Sequence, residues 1–146
     1  MSYNLSAILE GHTNDVRCVA AYSGDSLVSG SRDKCLKLWS PDGSGKGWTT
    51  QITYEGHTHY VSCIAVMQPN DTYPDGLIYT GSNDSRIRAY VPHKTSPDHE
   101  LQGHSANVAS LFVSKNQTLL SSSCDTPARV WLNQKTVMTL KDHEAA

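Results

Sequence analysis

The stretch SGSRDKCLKLW (Ser29–Trp39) follows the dipeptide Gly11-His12 and belongs to a pattern that occurs three times in this chain. Each copy has a Gly-His pair, an Asp 21 or 27 residues after the His, and an aromatic residue 6 positions after the Asp. The three His residues lie 45 and 47 positions apart, close to the roughly 40–45 residues of a four-stranded propeller blade. Such self-similarity indicates a repeat protein. The copies are Gly11-His12 with Asp33 and Trp39, Gly56-His57 with Asp84 and Tyr90, and Gly103-His104 with Asp125 and Trp131.

Short segments of alternating or continuous apolar character fill each repeat, separated by Gly, Pro, Asn, Asp and Ser, which is typical of strands and turns. They form three sets of four, so the sequence predicts an all-β fold without helices. Because closed propellers have about 4–8 blades, three blades form an incomplete, open ring. The predicted units are a leading strand (5–10), blade one (16–55), blade two (61–102), blade three (108–141) and the start of a next repeat (142–146).

The leading strand Leu5–Glu10 occupies the place of the strand that precedes each Gly-His. No predicted blade is left to receive it, so we expect it to be unpaired or borrowed by a neighbour. The open ends of the ring expose blade faces that a closed ring would bury, which predicts self-association. The chain therefore has the features of a fragment of a larger propeller.

Composition excludes several classes of function. The chain has 12 Lys and Arg against 14 Asp and Glu, a net charge of −2 and no long run of like charge, which does not favour nucleic acid as a partner. No apolar stretch approaches the length of a membrane span, and the N-terminus lacks the features of a signal peptide. We expect a cytoplasmic and nuclear protein. The four cysteines contain no CxxC pair, and Cys18 and Cys63 both follow their His by six residues, which predicts reduced, packed thiols.

His12, Ser29 and Asp33 have the residue types of a hydrolase triad, but equivalent residues occur in all three repeats. An active site is rarely installed three times at blade spacing, so we predict a structural hydrogen-bond network and no enzyme activity. A metal site is excluded because ligands about 45 residues apart on successive blades cannot all approach one ion to ~2.1–2.3 Å, and no motif indicates a cofactor. The predicted network comprises His12, Ser29, Asp33 and Trp39; His57, Thr80, Asp84 and Tyr90; and His104, Ser121, Asp125 and Trp131.

Tyr90 stands where the other repeats have Trp. We expect its ring and hydroxyl to remain in the second network without the indole donor. This predicts that the second network is the weakest of the three, and that Asp84→Ala costs less stability than Asp33→Ala or Asp125→Ala.

The Gly-His, Asp and Trp pattern resembles the WD-repeat family of β-propellers over nearly the whole chain. The more specific resemblance is to the N-terminal propellers of phospholipase A-activating proteins and their yeast ubiquitin-homeostasis counterparts. The stretches that carry it are YNLSAILEGHTNDVRCV (Tyr3–Val19), SGSRDKCLKLWSPD (Ser29–Asp42), DTYPDGLIYTGSND (Asp71–Asp84) and DTPARVWLNQKTVMTLKDH (Asp125–His143).

This resemblance implies a non-enzymatic scaffold that binds ubiquitin or ubiquitylated proteins through the top face of the propeller. It also implies work alongside an AAA segregase ATPase, through family regions beyond this stretch, and no phospholipase chemistry. Asp15 flanked by Arg17 and Arg32 suits a partner patch that is apolar with a basic rim, as on ubiquitin. The top-face positions are Asp15, Arg17 and Arg32 in blade one, Tyr60, Ser62 and Asn83 in blade two, and Asn107 and Ala109 in blade three. The alternatives are a truncated structural fragment or a general interaction module that does not bind ubiquitin.

Overall fold

The computed structural model of the chain describes residues 2–132 and 135–141. Within them it contains twelve strands and no helix, so the all-β prediction is confirmed. No helix that could cross a membrane occurs in the described residues. The strands are β1 (Val16–Ala21), β2 (Leu27–Ser31), β3 (Leu36–Pro41), β4 (Trp48–Tyr54), β5 (Val61–Met67), β6 (Leu77–Ser82), β7 (Ile87–Tyr90), β8 (His99–Leu101), β9 (Val108–Val113), β10 (Leu119–Ser123), β11 (Ala128–Leu132) and β12 (Lys135–Leu140).

The strands form three antiparallel four-stranded sheets, each made of strands consecutive in the chain. Blade one consists of β1–β4, blade two of β5–β8 and blade three of β9–β12. The first strands of neighbouring blades lie against one another, β1 on β5 and β5 on β9. The blades therefore follow one another in an open arc, as the sequence predicts.

Two apolar cores lie between the blades. We call the face of a blade that meets the preceding blade its leading face, and the face that meets the following blade its trailing face. Val28, Leu38 and Tyr54 on the trailing face of blade one pack with Ile78 and Tyr90 on the leading face of blade two. The second core joins blades two and three in the same way around buried residues that include Tyr79, Val108 and Trp131. Blade two thus buries both of its apolar faces against its neighbours, and blades one and three bury one each. Such packing between repeats is the source of stability in repeat proteins.

Each first strand carries a β-bulge at the same place. Val16 pairs with Ser31 while Cys18 pairs with Gly30, so Arg17 is the extra residue of β1. The bulges in β5 and β9 leave Ser62 and Ala109 in the equivalent position. A bulge re-aims the side chain of the extra residue. Arg17, Ser62 and Ala109 are also the top-face positions that the sequence predicts at the start of the first strand of each blade.

The insertion 68–76 lengthens the second repeat and bridges all three blades. Tyr22 of blade one donates a hydrogen bond to the Asp75 carbonyl (2.8 Å). The Asn70 side chain donates to Gln117 Oε1 of blade three (2.7 Å). This turn-rich insertion therefore connects blade two to blades one and three by hydrogen bonds.

The predicted leading strand is absent, because residues 5–10 belong to no strand. Leu5 and Ile8 are largely exposed. A strand needs a hydrogen-bonding partner along its length, and the four-stranded sheets of the described residues are complete without this segment. The predicted start of a further repeat, 142–146, lies outside the described residues.

The four cysteines are free thiols, in agreement with the reduced state predicted for them. Burial raises the pKa of Cys18 to about 12 and that of Cys63 to about 11. Cys124 is exposed, so the prediction that all four are packed is wrong at this position. It lies in the β10–β11 turn, at the position of Asn83 in blade two, which is also exposed.

Candidate functional site

The first network is a one-way chain of hydrogen bonds that ends on a carboxylate. Trp39 Nε1 donates to Ser29 Oγ (2.8 Å), which lies 2.7 Å from His12 Nε2. His12 Nδ1 lies 2.8 Å from Asp33 Oδ2. Because a carboxylate only accepts and an indole N–H only donates, Ser29 donates to His12 and His12 donates to Asp33. All four polar groups are satisfied by one another.

Asp33 also organises the turn between β2 and β3. Its carboxylate accepts the backbone N–H groups of Thr13 (3.0 Å) and Cys35 (2.9 Å). Lys34, which lies between Asp33 and Cys35, has a φ of 73°, a left-handed conformation that costs a non-glycine residue energy. Burial opposes ionisation of Asp33, but these bonds and that from His12 outweigh it and hold its pKa below the usual value.

Blade three repeats the network with the same residue types. Trp131 Nε1 donates to Ser121 Oγ (2.8 Å), and Ser121 Oγ lies 2.7 Å from His104 Nε2. His104 Nδ1 lies 3.0 and 2.9 Å from the two Asp125 oxygens. Pro127 occupies the position of Cys35 in blade one and has no N–H to donate. Both carboxylate oxygens are therefore available to the imidazole.

Blade two differs from the prediction. The Tyr90 hydroxyl donates to the Glu55 carbonyl (2.9 Å) and takes no part in the network. Arg88 is present instead: its Nη1 donates to Asp84 Oδ2 (2.7 Å) and lies 2.6 Å from His57 Nδ1. His57 Nδ1 lies 3.0 Å from Asp84 Oδ2, and its Nε2 lies 2.6 Å from Thr80 Oγ1. The prediction that Tyr90 belongs to this network is therefore wrong, and a charged guanidinium that binds the carboxylate is present where the other networks have an indole that binds the hydroxyl.

Arg88 is itself clamped between two carboxylates. Its second terminal nitrogen lies 3.1 Å from Glu100, which also pairs with Arg86 at 3.3 Å. The Arg88 side chain is nearly inaccessible to solvent, and charge-assisted bonds in a buried site are strong. Sequence reasoning missed Arg88, although a basic residue occurs four positions after the Asp in every repeat, as Lys37, Arg88 and Arg129.

The hydroxyl groups of the three networks are buried and already hydrogen-bonded. The hydroxyls of Ser29, Thr80 and Ser121 would be the nucleophiles, and all three residues are buried. Each hydroxyl is also engaged by the imidazole, and in blades one and three by the indole as well. These hydroxyls therefore serve as hydrogen-bonding members of the networks that hold the strands and turns of each blade together.

The network should make stability depend on pH. Burial lowers the pKa of His57, so the imidazole is neutral in the fold, whereas an unfolded histidine protonates near pH 6.5. The pKa values of Asp33, Asp84 and Asp125 are also lowered. The unfolded chain therefore binds more protons, first below about pH 6.5 and then below about pH 4.

We accordingly expect the free energy of unfolding to be greatest above pH 7, to fall from about pH 6.5 and to fall more steeply below about pH 4. Urea unfolding monitored by tryptophan fluorescence at a series of pH values measures this. Constant stability between pH 7 and pH 3 would contradict it.

The predicted top-face residues lie at the loop end of the first strands. Arg32 Nη1 pairs with Asp15 Oδ2 at 3.1 Å, and the Arg32 guanidinium lies 4.6 Å from the centre of the Tyr60 ring. A cation over an aromatic face is attracted by the ring, so this contact joins the loops of blades one and two. The His59 ring stacks edge-on against Tyr60, with ring centres 4.2 Å apart. We call Asp15, Arg32, His59 and Tyr60 the top cluster.

The remaining predicted positions are less uniform. Arg17, Asn83 and Ala109 are exposed, and Asn107 is half-buried. The Ser62 hydroxyl points into the seam between blades, 2.6 Å from the Val108 carbonyl and 3.1 Å from the Gly81 carbonyl. Ser62 is therefore occupied by packing and is not brought together with the top cluster.

Cys124 is a top-face position that sequence reasoning missed. The N–H of Arg32 donates to the Asp15 carbonyl (2.9 Å), and that of Asn83 donates to the Tyr60 carbonyl (3.1 Å). The N–H of Cys124 donates to the Asn107 carbonyl in the same way (3.2 Å). The sequence feature that could have identified it is its position directly before Asp125, which matches Arg32 before Asp33 and Asn83 before Asp84.

Comparison with known proteins identifies the family to which the three repeats belong. The family model described as WD domain, G-beta repeat matches residues 3–40, 48–90 and 95–131. These segments cover most of the chain and contain the three networks. The chain belongs to the WD-repeat family of β-propeller proteins.

The more specific resemblance is also confirmed. The chain is 44% identical to Phospholipase A-2-activating protein of Xenopus laevis over 99% of its own length and 18% of that protein. It is 34% identical to Ubiquitin homeostasis protein lub1 of Schizosaccharomyces pombe, covering 89% of the chain and 18% of the relative. The chain thus spans about a fifth of the length of these relatives.

A solved structure shows the same fold. The crystal structure of the WD40 beta propeller domain of Doa1 superposes with a TM-score of 0.83 at 30% sequence identity. The match covers 99% of this chain and 46% of the other. The three blades are therefore arranged as in part of that propeller.

Proposed function

We propose that this chain is a non-enzymatic WD-repeat scaffold that binds ubiquitin or ubiquitylated proteins in ubiquitin homeostasis and ubiquitin-dependent degradation. Relatives named Ubiquitin homeostasis protein lub1 and Ubiquitin fusion degradation protein 3 homolog support the pathway. Binding would take place in the cytoplasm and nucleus. Cooperation with an AAA segregase ATPase would require regions of the relatives beyond the stretch matched here.

The observation that carries the proposal is the top cluster. Tyr60 is half-buried and Arg32 lies over its ring. The ring is therefore held in place before a partner arrives, and little side-chain entropy remains to be lost on binding. Aromatic and arginine side chains are the residues most enriched in binding hot spots.

The charge of the cluster defines the partner that suits it. The Asp15 side chain is 65% exposed although it pairs with Arg32, and an exposed pair of this kind contributes little to stability. Its carboxylate therefore remains available to a basic group of a partner, while Tyr60 offers an apolar surface beside it. An apolar patch with a basic rim, such as that of ubiquitin, meets both features.

Asp15→Arg tests this assignment. We expect ubiquitin binding to weaken by about 1 kcal/mol, roughly fivefold in Kd, because the new cation opposes a basic-rimmed partner. The fold should be retained, since exposed substitutions usually cost within about 0.5 kcal/mol. The measurement is a titration of isotope-labelled ubiquitin followed by NMR at constant salt.

Asp25→Arg is the matched control, because Asp25 is also exposed but lies in the turn at the other end of β1. It should leave the affinity unchanged. Equal weakening by both substitutions would show a general effect of charge and remove Asp15 from the site. If the folded wild-type chain does not bind ubiquitin at all, the alternative of a general interaction module is favoured.

A further inference from the structure

A polar cavity lies between blades two and three, at the end of β5 opposite the top cluster. Its volume is about 240 Å³. Sites for drug-sized ligands measure roughly 300–1,000 Å³, so this cavity suits a single side chain of a partner. We call it the lower cavity. Its wall includes Met67, Asn70, Tyr73 and Tyr79 of blade two and Asn116 and Gln117 of blade three.

Tyr79 is the polar residue in this wall that indicates a ligand. It is only 6% exposed, and its ring belongs to the core between blades two and three. Its hydroxyl nevertheless makes no hydrogen bond to any residue of the described ranges 2–132 and 135–141. Buried tyrosine hydroxyls usually have a hydrogen-bond partner. The Tyr79 hydroxyl is therefore available to a group that enters the lower cavity.

Two other buried tyrosines show what such a hydroxyl binds in this fold. Tyr54 and Tyr90 each donate a hydrogen bond to a backbone carbonyl of another segment. Burial and the nearby Tyr73 phenol raise the pKa of Tyr79 to about 12. Its hydroxyl keeps its proton at neutral pH and can donate in the same way. A matching ligand therefore presents a carbonyl oxygen.

Carboxamide side chains form another part of the wall. Asn70 Nδ2 donates to Gln117 Oε1 (2.7 Å), and Gln117 Nε2 donates to the Gln68 carbonyl (3.2 Å). These bonds hold the two sides of the lower cavity in place before a ligand arrives. The Asn116 side chain is exposed and makes no hydrogen bond within the part of the chain that the structure describes. Its amide oxygen can accept an N–H group of a ligand.

The lower cavity also favours a neutral ligand, because none of the side chains that line it is charged and an ion removed from water without a partner is costly. A carboxamide supplies a carbonyl for Tyr79 and an N–H group for Asn116 without a charge. We propose that the lower cavity binds the side chain of a glutamine or asparagine in a partner peptide, whose carbonyl oxygen accepts the hydrogen bond of the Tyr79 hydroxyl. This site goes beyond the proposed function, which rests on the top cluster at the other end of β5.

A titration with N-acetylglutamine N-methylamide tests the proposal. The methyl group of Met67, labelled with ¹³C, reports on the cavity wall, so a change in its NMR shift locates the bound probe. Tyr79→Phe deletes only the hydroxyl and should weaken binding of the probe at least about fivefold. The corresponding glutamate and methionine derivatives test charge and size, and at pH 7 each should bind at least about fivefold more weakly than the glutamine derivative.

Tyr54→Phe is the matched control variant. It removes a buried hydroxyl that is bound to the Pro92 carbonyl, so it should lower the urea midpoint and leave the affinity for the probe unchanged. Tyr79→Phe should leave the urea midpoint unchanged or raise it, because its hydroxyl has no described partner in the chain to lose. Urea unfolding followed by circular dichroism measures both midpoints.

Four outcomes would each overturn the inference. They are a Met67 signal that the probe does not shift in folded wild type, equal affinity for the three derivatives, equal affinity of Tyr79→Phe and wild type, and a urea midpoint lowered as much by Tyr79→Phe as by Tyr54→Phe. Binding of ubiquitin and its response to Asp15→Arg are measured separately, so the two proposals can fail independently.

Discussion

Asp84→Ala is expected to be the most destabilising of the three Asp-to-Ala changes in the networks. Asp84 is buried against His57 and Arg88, so its removal leaves a guanidinium inside the protein with Glu100 as its remaining carboxylate partner. Breaking a buried ion pair by removing one member costs about 3–5 kcal/mol. Asp33→Ala and Asp125→Ala each leave an imidazole and backbone N–H groups without their acceptor. Because these donors are neutral, each substitution should lower the free energy of unfolding by roughly 1–3 kcal/mol.

Urea unfolding measured by circular dichroism gives the three free energies. The double variant D84A/R88L is the informative control, because it removes the stranded cation together with the carboxylate and should recover part of the loss. The explanation fails if Asp33→Ala proves the most harmful of the three, or if D84A/R88L is less stable than D84A.

Trp131→Ala should destabilise the chain by about 3–5 kcal/mol, and more than Trp39→Ala. Both indoles are buried and donate the same hydrogen bond to a network serine at 2.8 Å. Trp131 is part of the core between blades two and three, so its removal opens a cavity bounded on both sides. Trp39 lies on the open leading face of blade one, beside the cavity that contains Val16 and Val19.

Chemical denaturation of both variants, followed by circular dichroism, measures the difference. The two substitutions delete the same atoms and the same hydrogen-bond donor. A difference between their free energies of unfolding therefore measures what packing against a neighbouring blade contributes. Equal costs would mean that packing between blades adds little to the burial that one blade provides.

The repeat pattern was enough to predict the strands and their grouping. The spacing of Gly-His, Asp and the aromatic residue predicted three sets of four strands, because the Gly-His pair and the Asp of each repeat mark the loops and turns between strands. The blade-one and blade-three networks involve the predicted residues, since hydroxyl, imidazole and carboxylate have few ways to satisfy one another in a buried site.

Blade two was mispredicted because the side chain that completes its network depends on space and charge. Tyr90 faces the core of blade one, where its hydroxyl meets the Glu55 carbonyl. Arg88 lies two positions earlier in the same strand, and its charge is neutralised by Asp84 and Glu100. A one-dimensional comparison of repeats aligned Tyr90 with the tryptophans and could not show that an arginine binds the carboxylate of this network.

The sequence by itself determined the class of fold, the number of blades, the residues of the two tryptophan-bearing networks and the positions of the top-face loops. These follow from periodicity, which is a local property of the chain. Only the tertiary structure decided that Leu5–Glu10 forms no strand, that Ser62 packs in the seam between blades and that Arg32 lies over Tyr60. Those outcomes depend on which atoms of different blades come into van der Waals contact, and the spacing of residues along the chain does not determine these contacts.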